Sequence, residues 1–225
     1  MEFLPLFFDL KGRQALIVGG GEVALRKARL IARAQAKVSV VSPELHDGLA
    51  EVINSSGGQL INGQYQSMDL SVYALVVAAT DDQDINLQVS EEAKQAGIPV
   101  NVVDQPELCS FIFPAIVDRS PVIAAVSSGG ASPVLARLLR AKLETVIPAS
   151  YGRLAALAEK YRQKVKQTFG QVNLRRGFWE RILGGHVADL VFAGKEREAE
   201  ELLVQELEST KPVKRELGEV YLVGA

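Results

Sequence analysis

The stretch Gln14-Ala-Leu-Ile-Val-Gly-Gly-Gly-Glu-Val-Ala24 decides the fold of this chain. It begins as a short apolar strand, passes through three glycines and continues into a segment in which Ala24, Ala28 and Ile31 recur at helical spacing. A second apolar strand follows at residues 37–41. The pattern G-x-G-x-x-A between a strand and a helix is typical of dinucleotide binding, because the glycines let a pyrophosphate approach the N–H groups that begin the helix.

The alternation of strands and helices continues to about residue 103. Helices are predicted near 43–55 and 82–96, and strands near 59–62, 73–79 and 98–103. Short apolar strands that alternate with helices predict an α/β fold with a Rossmann-like, doubly wound parallel sheet. The apolar residues 3–8 precede this pattern, and we predict an edge strand or a cap there.

The pattern changes after Pro114. Residues 115–117 and 122–126 flank a turn sequence, Asp118-Arg-Ser-Pro121, and this arrangement predicts a hairpin. Ser132-Pro133 is a favourable start for a helix. Further helices are predicted near 149–168, 177–183 and 187–207. A small α+β segment and a C-terminal helical domain should therefore follow the parallel sheet.

Residues at the carboxyl ends of the parallel strands are the predicted cofactor contacts, because open α/β sheets bind ligands at that edge. No Arg or Lys closely follows the second strand to hold a 2′-phosphate, whereas Glu44 or the Ser42 hydroxyl could reach a ribose hydroxyl. We therefore predict NAD rather than NADP. Asp82 is equally well suited to cap the next helix. The predicted contacts from these patterns are Gly19, Gly21, Glu22, Val23, Glu44, Thr80, Asp81 and Val103.

Asp104 follows the strand at 98–103 and should lie at the same edge of the sheet. We predict that its carboxylate is a general base at the nicotinamide end of the crevice. The alternative is a turn aspartate that hydrogen-bonds to its own backbone.

A glycine-serine loop and the basic charge that surrounds it predict an anionic partner. Residues 1–114 carry 8 basic and 14 acidic groups, residues 115–185 carry 12 and 4, and residues 186–225 carry 5 and 9. The middle segment, at +8, indicates nucleic acid or a small polyanion, with a solvated helix face as the alternative. The aromatic residues there have the spacing of core residues, so we do not predict nucleic-acid binding. The predicted anion contacts are Ser127, Ser128, Gly129, Gly130 and Arg137.

Several classes of protein are excluded by composition. The single cysteine, Cys109, cannot form an internal disulfide, and no residues have the spacing of a fixed metal site. His46 and His186 are predicted to be surface residues, and Asp104 is the one candidate for transient metal contact. The longest apolar run, residues 73–79, is far shorter than the roughly 18 residues that a membrane span needs. We expect a cytoplasmic protein without membrane contact.

Motifs along nearly the whole chain together resemble the siroheme synthase family. The match is to the N-terminal dehydrogenase and ferrochelatase module of the trifunctional type. The residues that carry the resemblance are Leu16-Ile-Val-Gly-Gly-Gly21, Arg26-Lys-Ala28, Ala78-Ala-Thr-Asp-Asp82, Asn101-Val-Val-Asp104, Ser110-Phe-Ile-Phe-Pro114, Asp118-Arg-Ser-Pro121, Ser127-Ser-Gly-Gly130 and Ser132-Pro-Val-Leu-Ala-Arg-Leu-Leu-Arg140.

The resemblance implies NAD-dependent oxidation of precorrin-2 to sirohydrochlorin and insertion of Fe²⁺, as a substrate, to give siroheme. It implies that Asp104 is the base, that Pro43 and Glu44 contact the ribose, and that Ser128 lies at the tetrapyrrole cleft. A tetrapyrrole rich in carboxylates would be the anionic partner. Some relatives perform only the oxidation, so chelation stays open.

The resemblance also implies an organisation of the chain. The predicted parts are an NAD-binding domain at 1–113, a homodimerisation segment at 114–147, a helical domain at 148–215 and the start of a methyltransferase domain at 216–225. Methylation of uroporphyrinogen III and binding of S-adenosylmethionine would belong to a C-terminal half that this chain lacks.

A hypothesis from a different class also fits the residues. The dinucleotide-binding domain could sense NAD(H) while the basic helical domain contacts nucleic acid or another protein. Salt-dependent binding of duplex DNA would distinguish this regulatory module from an enzyme.

Overall fold

The computed structural model describes residues 3–209, which form two compact units. The first unit contains residues 3–114 and 127–133, and the second contains residues 115–126 and 134–209. The predicted methyltransferase start at 216–225 lies outside the described residues, as does the end of the predicted helical domain. The predicted domain boundaries stay predictions.

A five-stranded parallel sheet is the centre of the first unit, with strand order β3-β2-β1-β4-β5. This sheet confirms the predicted fold class. Its elements, in chain order, are β1 (Gln14–Val18), α1 (Glu22–Arg33), β2 (Lys37–Ser42), α2 (Leu49–Ser56), β3 (Leu60–Asn62), β4 (Tyr73–Ala78), α3 (Gln83–Gln95) and β5 (Val100–Val102).

Both faces of this sheet are covered, because alternate residues of each strand point to opposite faces. On one face, Ala15 and Ile17 of β1 pack with the apolar stripe of α1 and with α2. On the other face, Leu16 and Val18 pack with Val89 of α3 and its neighbours. Burial on both sides explains why β1 and β4 are continuous apolar runs rather than alternating ones.

Three predictions about the first unit need correction. The helix predicted from residue 43 begins at Leu49, because residues 43–46 form a loop in which the His46 N–H donates to the Gly20 carbonyl at 2.7 Å. The strand predicted at 98–103 is reduced to β5. Residues 3–8 form no strand and leave Phe7 76% exposed, so the edge-strand alternative is wrong, while the cap stays a prediction; Pro5, which has no N–H to donate, weakens any pairing there.

The second unit joins a two-stranded antiparallel hairpin to five helices. Its elements are β6 (Ala115–Arg119), β7 (Val122–Val126), α4 (Pro133–Val146, whose first residue belongs to the first unit), α5 (Ser150–Thr168), α6 (Val172–Leu183), α7 (His186–Phe192) and α8 (Glu196–Ser209). Helices α5 to α8 enclose their own core, in which Phe178, Ile182 and Leu203 are almost completely buried.

Two helix predictions in this unit were also wrong. Helix α6 begins at Val172, five residues before the predicted start. The single helix predicted at 187–207 is two helices, because Gly194 takes a left-handed conformation with φ of +75° and ends α7. Within residues 3–209, no helix combines the length and the hydropathy that crossing a membrane requires.

Candidate functional site

The glycine loop joins β1 to α1 at the carboxyl edge of the sheet. Gly19 has φ of +121°, and its N–H donates to the Val41 carbonyl at 2.9 Å. A Cβ at this position would overlap the Ala79 carbonyl. Because it has no side chain, Gly19 lets the chain turn tightly at the end of β1 while it lies against β2 and the end of β4. This is the role of the first glycine in the dinucleotide-binding pattern.

Gly20 and Gly21 have opposite surroundings. A Cβ on Gly20 would overlap the Glu44 carbonyl, whereas a Cβ on Gly21 would meet no atom within 4 Å. Gly21 is the N-cap of α1, and no side chain caps the helix there. The first N–H groups of an α-helix lack partners inside the helix, so the start of α1, with Glu22 and Val23, offers donors beside open space. The loop fits a dinucleotide pyrophosphate.

The two ribose candidates after β2 differ in availability. The Ser42 hydroxyl is buried and donates to the Glu44 carbonyl at 2.6 Å. The Glu44 side chain and Pro43 are exposed next to the glycine loop. Of the two acceptors that the sequence offers, the Glu44 carboxylate is the one left free to meet a ribose.

The loop after β4 is fixed by side-chain hydrogen bonds. Asp82 caps α3, accepting from the N–H groups of Asp84 at 3.0 Å and Ile85 at 3.2 Å. The Thr80 hydroxyl lies 2.9 Å from Oδ1 of Asn86, whose Nδ2 donates to the Thr80 carbonyl at 2.9 Å. Asn86 is 3% exposed. Sequence reasoning missed this buried amide, which holds Thr80 in place beside Gly19.

Asp104 lies at the end of β5, at the same edge as the glycine loop. The Val103 N–H donates to the Ala78 carbonyl at 2.9 Å, which continues the β4–β5 pairing up to Asp104. Asp104 itself has φ of +59°, a left-handed conformation that costs a non-glycine residue roughly 1–2 kcal/mol. Its exposed carboxylate makes no hydrogen bond within residues 3–209. Asp104 thus lies in a turn, as the alternative supposed, but no hydrogen bond from its side chain to its own backbone is found within residues 3–209.

Lys27 is a second charged residue near Asp104, and sequence reasoning gave it no role. Its half-buried ammonium lies 4.1 Å from the centre of the Phe113 ring. Burial lowers the pKa of Lys27, Arg26 acts in the same direction, and the charges of Cys109 and Asp104 oppose it. Its position beside the apolar stripe of α1, six residues after the glycine loop, was the signal in the sequence.

The segment after Asp104 is anchored through Cys109. The Val102 N–H donates to the Cys109 sulfur at 3.2 Å, so this cysteine has a structural role. Gln105 Oε1 is a buried side-chain oxygen with no hydrogen-bond partner among the described residues. Such an acceptor next to Asp104 is available to a bound molecule.

The glycine-serine loop holds itself in shape. Ser128 Oγ accepts from the Ser132 N–H at 2.9 Å and donates to the Ser132 carbonyl at 3.0 Å, and Ser127 Oγ accepts from the Gly129 N–H at 3.0 Å. The loop belongs to the first unit, whereas Arg137 lies exposed on α4 in the second. Neither His46 nor His186 is buried, as predicted. Residues 3–209 contain no group of three or more His, Cys, Asp or Glu side chains suited to a metal.

The parallel sheet and the glycine loop define a Rossmann-type NAD(P)-binding domain. A family model described as putative NAD(P)-binding matches residues 6–115. The models for the sirohaem biosynthesis protein central region and the sirohaem synthase dimerisation region match residues 125–145 and 150–207.

Similarity to known proteins extends over the whole chain. It is 55% identical over 225 residues to the siroheme synthase of Pseudomonas fluorescens (strain SBW25) and 58% identical to that of Ectopseudomonas mendocina (strain ymp). In both comparisons all of this chain is covered, against 48% of the relative, so the chain spans about half the length of these relatives. The resemblance to the N-terminal module of siroheme synthases is confirmed.

A solved structure agrees with the fold. The protein described as SirC, precorrin-2 dehydrogenase, superposes with a TM-score of 0.71 at 24% sequence identity. The superposition covers 92% of this chain and 100% of that one, so the fold likeness extends beyond the first unit.

Proposed function

We propose that this chain oxidises precorrin-2 to sirohydrochlorin with NAD⁺ and inserts Fe²⁺ into the product to give siroheme. The observation that carries the proposal is the position of Asp104. Asp104 lies two residues after β5, in a left-handed backbone conformation, at the edge where the glycine loop opens, and its carboxylate makes no hydrogen bond within residues 3–209. Backbone strain of this kind is concentrated at functional sites. The similarity to siroheme synthases supplies the substrate class.

Different residues of this chain have different roles in the proposed oxidation. Bound NAD⁺ supplies the hydride acceptor. The glycine loop and the start of α1 hold its pyrophosphate, and Glu44 accepts from its ribose. As a C–H bond of precorrin-2 gives up its hydride, Asp104 takes the proton that is released with it, so that the products are sirohydrochlorin, NADH and a proton.

Chelation uses the same base. Insertion of Fe²⁺ replaces the pyrrole N–H protons of sirohydrochlorin, and these protons need an acceptor next to the ring. The Asp104 carboxylate, which is exposed and has no competing hydrogen bond among the described residues, serves in this step too. Because Fe²⁺ is a substrate here, a transient contact with Asp104 suffices and no fixed metal site is required.

The glycine-serine loop is the proposed contact for substrate carboxylates. Ser127 and Ser128 use their hydroxyls to shape the loop, and Gly129 and Gly130 have positive φ angles. A loop that is already ordered loses little entropy when an anion binds. Arg137 would add a cation, and guanidinium groups pair with carboxylates in a bidentate geometry.

The second unit supports a homodimer. Helix α4 has no buried residue, and Val134, Leu138 and Val146 are each at least 55% exposed. Together with the match to a dimerisation region at 150–207, this exposed apolar surface favours a second copy of the chain as its cover. Dimerisation through residues 114–147 stays a prediction.

Three further features complete the proposal. NAD is preferred to NADP because Glu44 would repel a 2′-phosphate. Methylation of uroporphyrinogen III, with S-adenosylmethionine, belongs to the half of the relatives that this chain does not span. We propose a cytoplasmic location, which fits the single cysteine of the sequence.

The variant Asp104→Asn tests the proposal. Anaerobic NADH formation from precorrin-2 should fall at least about 100-fold, because the amide cannot accept the proton, while the Kd for NADH stays unchanged. Insertion of Fe²⁺ into sirohydrochlorin without NAD should fall as well. Glu107→Gln removes an exposed carboxylate three residues along the chain and is the control.

Full turnover by Asp104→Asn would overturn the assignment of the base. A wild-type chain that binds NADH but does not oxidise precorrin-2 would overturn the proposed function itself. Oxidation without metal insertion would restrict the function to the dehydrogenase.

A further inference from the structure

Two helices of the second unit each present four residues to one cavity, which we call the α5–α6 groove. Its volume is about 780 Å³, within the range of about 300–1,000 Å³ that is usual for small-molecule sites. On each helix the lining positions are i, i+3, i+4 and i+7, which form a single face. They are Glu159, Arg162, Gln163 and Lys166 of α5 and Val172, Arg175, Arg176 and Trp179 of α6.

The charge of the α5–α6 groove is strongly positive, with four cations against the single carboxylate of Glu159. Arg162 and Lys166 are exposed, and neither side chain has a hydrogen bond or an ion pair within residues 3–209. Both cations are therefore available to a bound anion. Arg176, which also lines the groove, is instead paired along its own helix with Glu180 at 2.7 Å.

A third cation is held rigidly. Arg175 Nη1 donates to the carbonyls of Phe169 at 2.9 Å and Gly170 at 3.1 Å, which lie at the end of α5. These bonds fix the guanidinium at the closed end of the hairpin between the two helices. A positioned cation binds an anion with less loss of side-chain entropy than a mobile one.

Trp179 provides a flat apolar wall. Its ring packs edge-on against the buried Phe178, with centroids 5.3 Å apart and an interplanar angle of 69°. A second cavity, of about 730 Å³, shares Glu159, Arg162 and Trp179 with the groove. The other residues that line it are mainly apolar, with Tyr151, Leu154 and Leu183 among them. The indole therefore stands where a basic surface meets an apolar one.

We propose that the α5–α6 groove binds a flat ring compound that carries several carboxylates, with its ring on Trp179 and its carboxylates on Arg162, Lys166 and Arg175. This inference rests on the proposed function, which makes a carboxylated tetrapyrrole the expected ligand. It adds a docking site for that ligand on α5 and α6. The groove contains none of the residues assigned to the oxidation or to chelation.

The surroundings favour this ligand over a nucleic acid. A nucleic-acid duplex presents its phosphate backbone and needs cations spread along it, whereas the cations here line one cavity beside an apolar surface. A carboxylated macrocycle uses both surfaces, because its rim is anionic and its faces are apolar. Planar guanidinium groups also match carboxylates well.

The experiment uses the fluorescence of Trp179, which is the only tryptophan in the chain. Uroporphyrin, a porphyrin with carboxylate side chains on every pyrrole, is titrated into the wild-type chain. We expect saturable quenching, and the double variant Arg162→Gln/Lys166→Gln should raise the Kd about tenfold or more, since two charge-assisted contacts are lost. The matched control Lys164→Gln/Lys37→Gln removes the same charge from two exposed positions outside the groove and should keep the wild-type Kd.

Four outcomes decide the proposal. Asp104→Asn with unchanged quenching would support a site separate from the proposed reaction, even if turnover by the wild type failed. Equal loss of affinity in the control variant would overturn the proposal, because the effect would then be that of net charge. Displacement of bound uroporphyrin by tripolyphosphate or duplex DNA at equal concentration, seen as recovery of the Trp179 fluorescence, would overturn the ligand class. A smaller sedimentation coefficient for Arg162→Gln/Lys166→Gln alone would assign the groove to contact between copies of the chain.

Discussion

The two units of this chain build their binding surfaces by different means. In the first unit, the candidate site consists mainly of backbone: glycines at the end of β1, the open N-terminus of α1, and the strained Asp104 at the end of β5. In the second unit, the α5–α6 groove consists of side chains on two helix faces. The charges around the two sites differ as well: residues 1–114 carry −6, and residues 115–185, the segment that contains the groove, carry +8.

This difference has a physical origin. Parallel strands place all their carboxyl ends at one edge, so that the backbone of a Rossmann sheet creates a ligand site wherever the loops leave room. Helices satisfy their own backbone groups along their length, so a site between two helices depends on long side chains. Substitutions should therefore lower stability where a glycine of the loop packs against the neighbouring backbone, as Gly19 does, and affect binding alone in the groove.

Gly19→Ala should show the largest effect. The new Cβ would overlap the Ala79 carbonyl, and φ of +121° is unfavourable for alanine, so we expect a loss of at least about 3 kcal/mol in the free energy of unfolding. Urea denaturation followed by circular dichroism measures it. A variant as stable as the wild type would show that the glycine loop is not held against β4.

Gly21→Ala should separate binding from stability at the same loop. Gly21 has φ of −82°, which alanine adopts readily, and no atom lies within 4 Å of the added Cβ. We expect a change of less than about 1 kcal/mol in stability, from the poorer N-cap. The Kd for NADH should rise about tenfold or more, because the methyl group occupies the surface that the pyrophosphate approaches. Calorimetric titration with NADH would contradict the assignment if the affinity were unchanged.

The same contrast explains what could be predicted from the sequence. The strands and α1 were predictable because apolar periodicity and glycine spacing are local signals, and Asp104 followed from the rule that parallel strands end together. The late start of α2 was not, because it depends on the contact between His46 and Gly20, which are distant in sequence. The break at Gly194 did have a local signal, because a glycine lies within the helical pattern there. The apolar periodicity on either side of it outweighed that signal and predicted one continuous helix.

The binding residues show the same limit. Glycines and Asp104 could be named from position alone, whereas Lys27 and Asn86 lie within helices and gain their roles only from what they contact. The basic residues of 115–185 predicted an anionic partner. The sequence could not show which of these residues line one groove. Their grouping depends on the hairpin of α5 and α6, and therefore on the start of α6 at Val172.

Gly194→Ala provides the counterpart of Gly19→Ala in the second unit. Gly194 has φ of +75°, but no atom lies within 4 Å of an added Cβ, so the cost is that of the backbone conformation alone. We expect a loss of about 1 kcal/mol, well below that of Gly19→Ala. Thermal denaturation of the two variants side by side would test the ranking. A larger loss for Gly194→Ala would mean that the turn between α7 and α8 is packed as tightly as the glycine loop.

The smallest effect is expected where the first unit uses side chains rather than backbone. Glu92 accepts hydrogen bonds from Tyr65 and Ser67, both at 2.6 Å, and from Gln88 at 2.8 Å. Burial favours the protonated form of Glu92, but these hydrogen bonds hold its pKa below the ordinary value. The pKa of Tyr65 is raised, by burial and by its hydrogen bond to Glu92. Because the folded-state pKa of Glu92 is lowered, its contribution to stability is present above the ordinary value of 4.5 and is lost as the pH falls through the lower folded-state value.

Glu92→Gln should therefore lower the free energy of unfolding at neutral pH by about 0.5 kcal/mol, since the site is partly open to solvent. The loss should shrink as the pH falls from 4.5, where the carboxylate of the unfolded chain becomes protonated, and disappear below the lower folded-state pKa, where the folded carboxylate is protonated too. Glu91→Gln, which changes the exposed neighbour, is the matched control and should give the wild-type pH profile. If Glu92→Gln instead cost as much as Gly19→Ala, side chains would hold the first unit together as strongly as its backbone turns, and the distinction between the two units would fail.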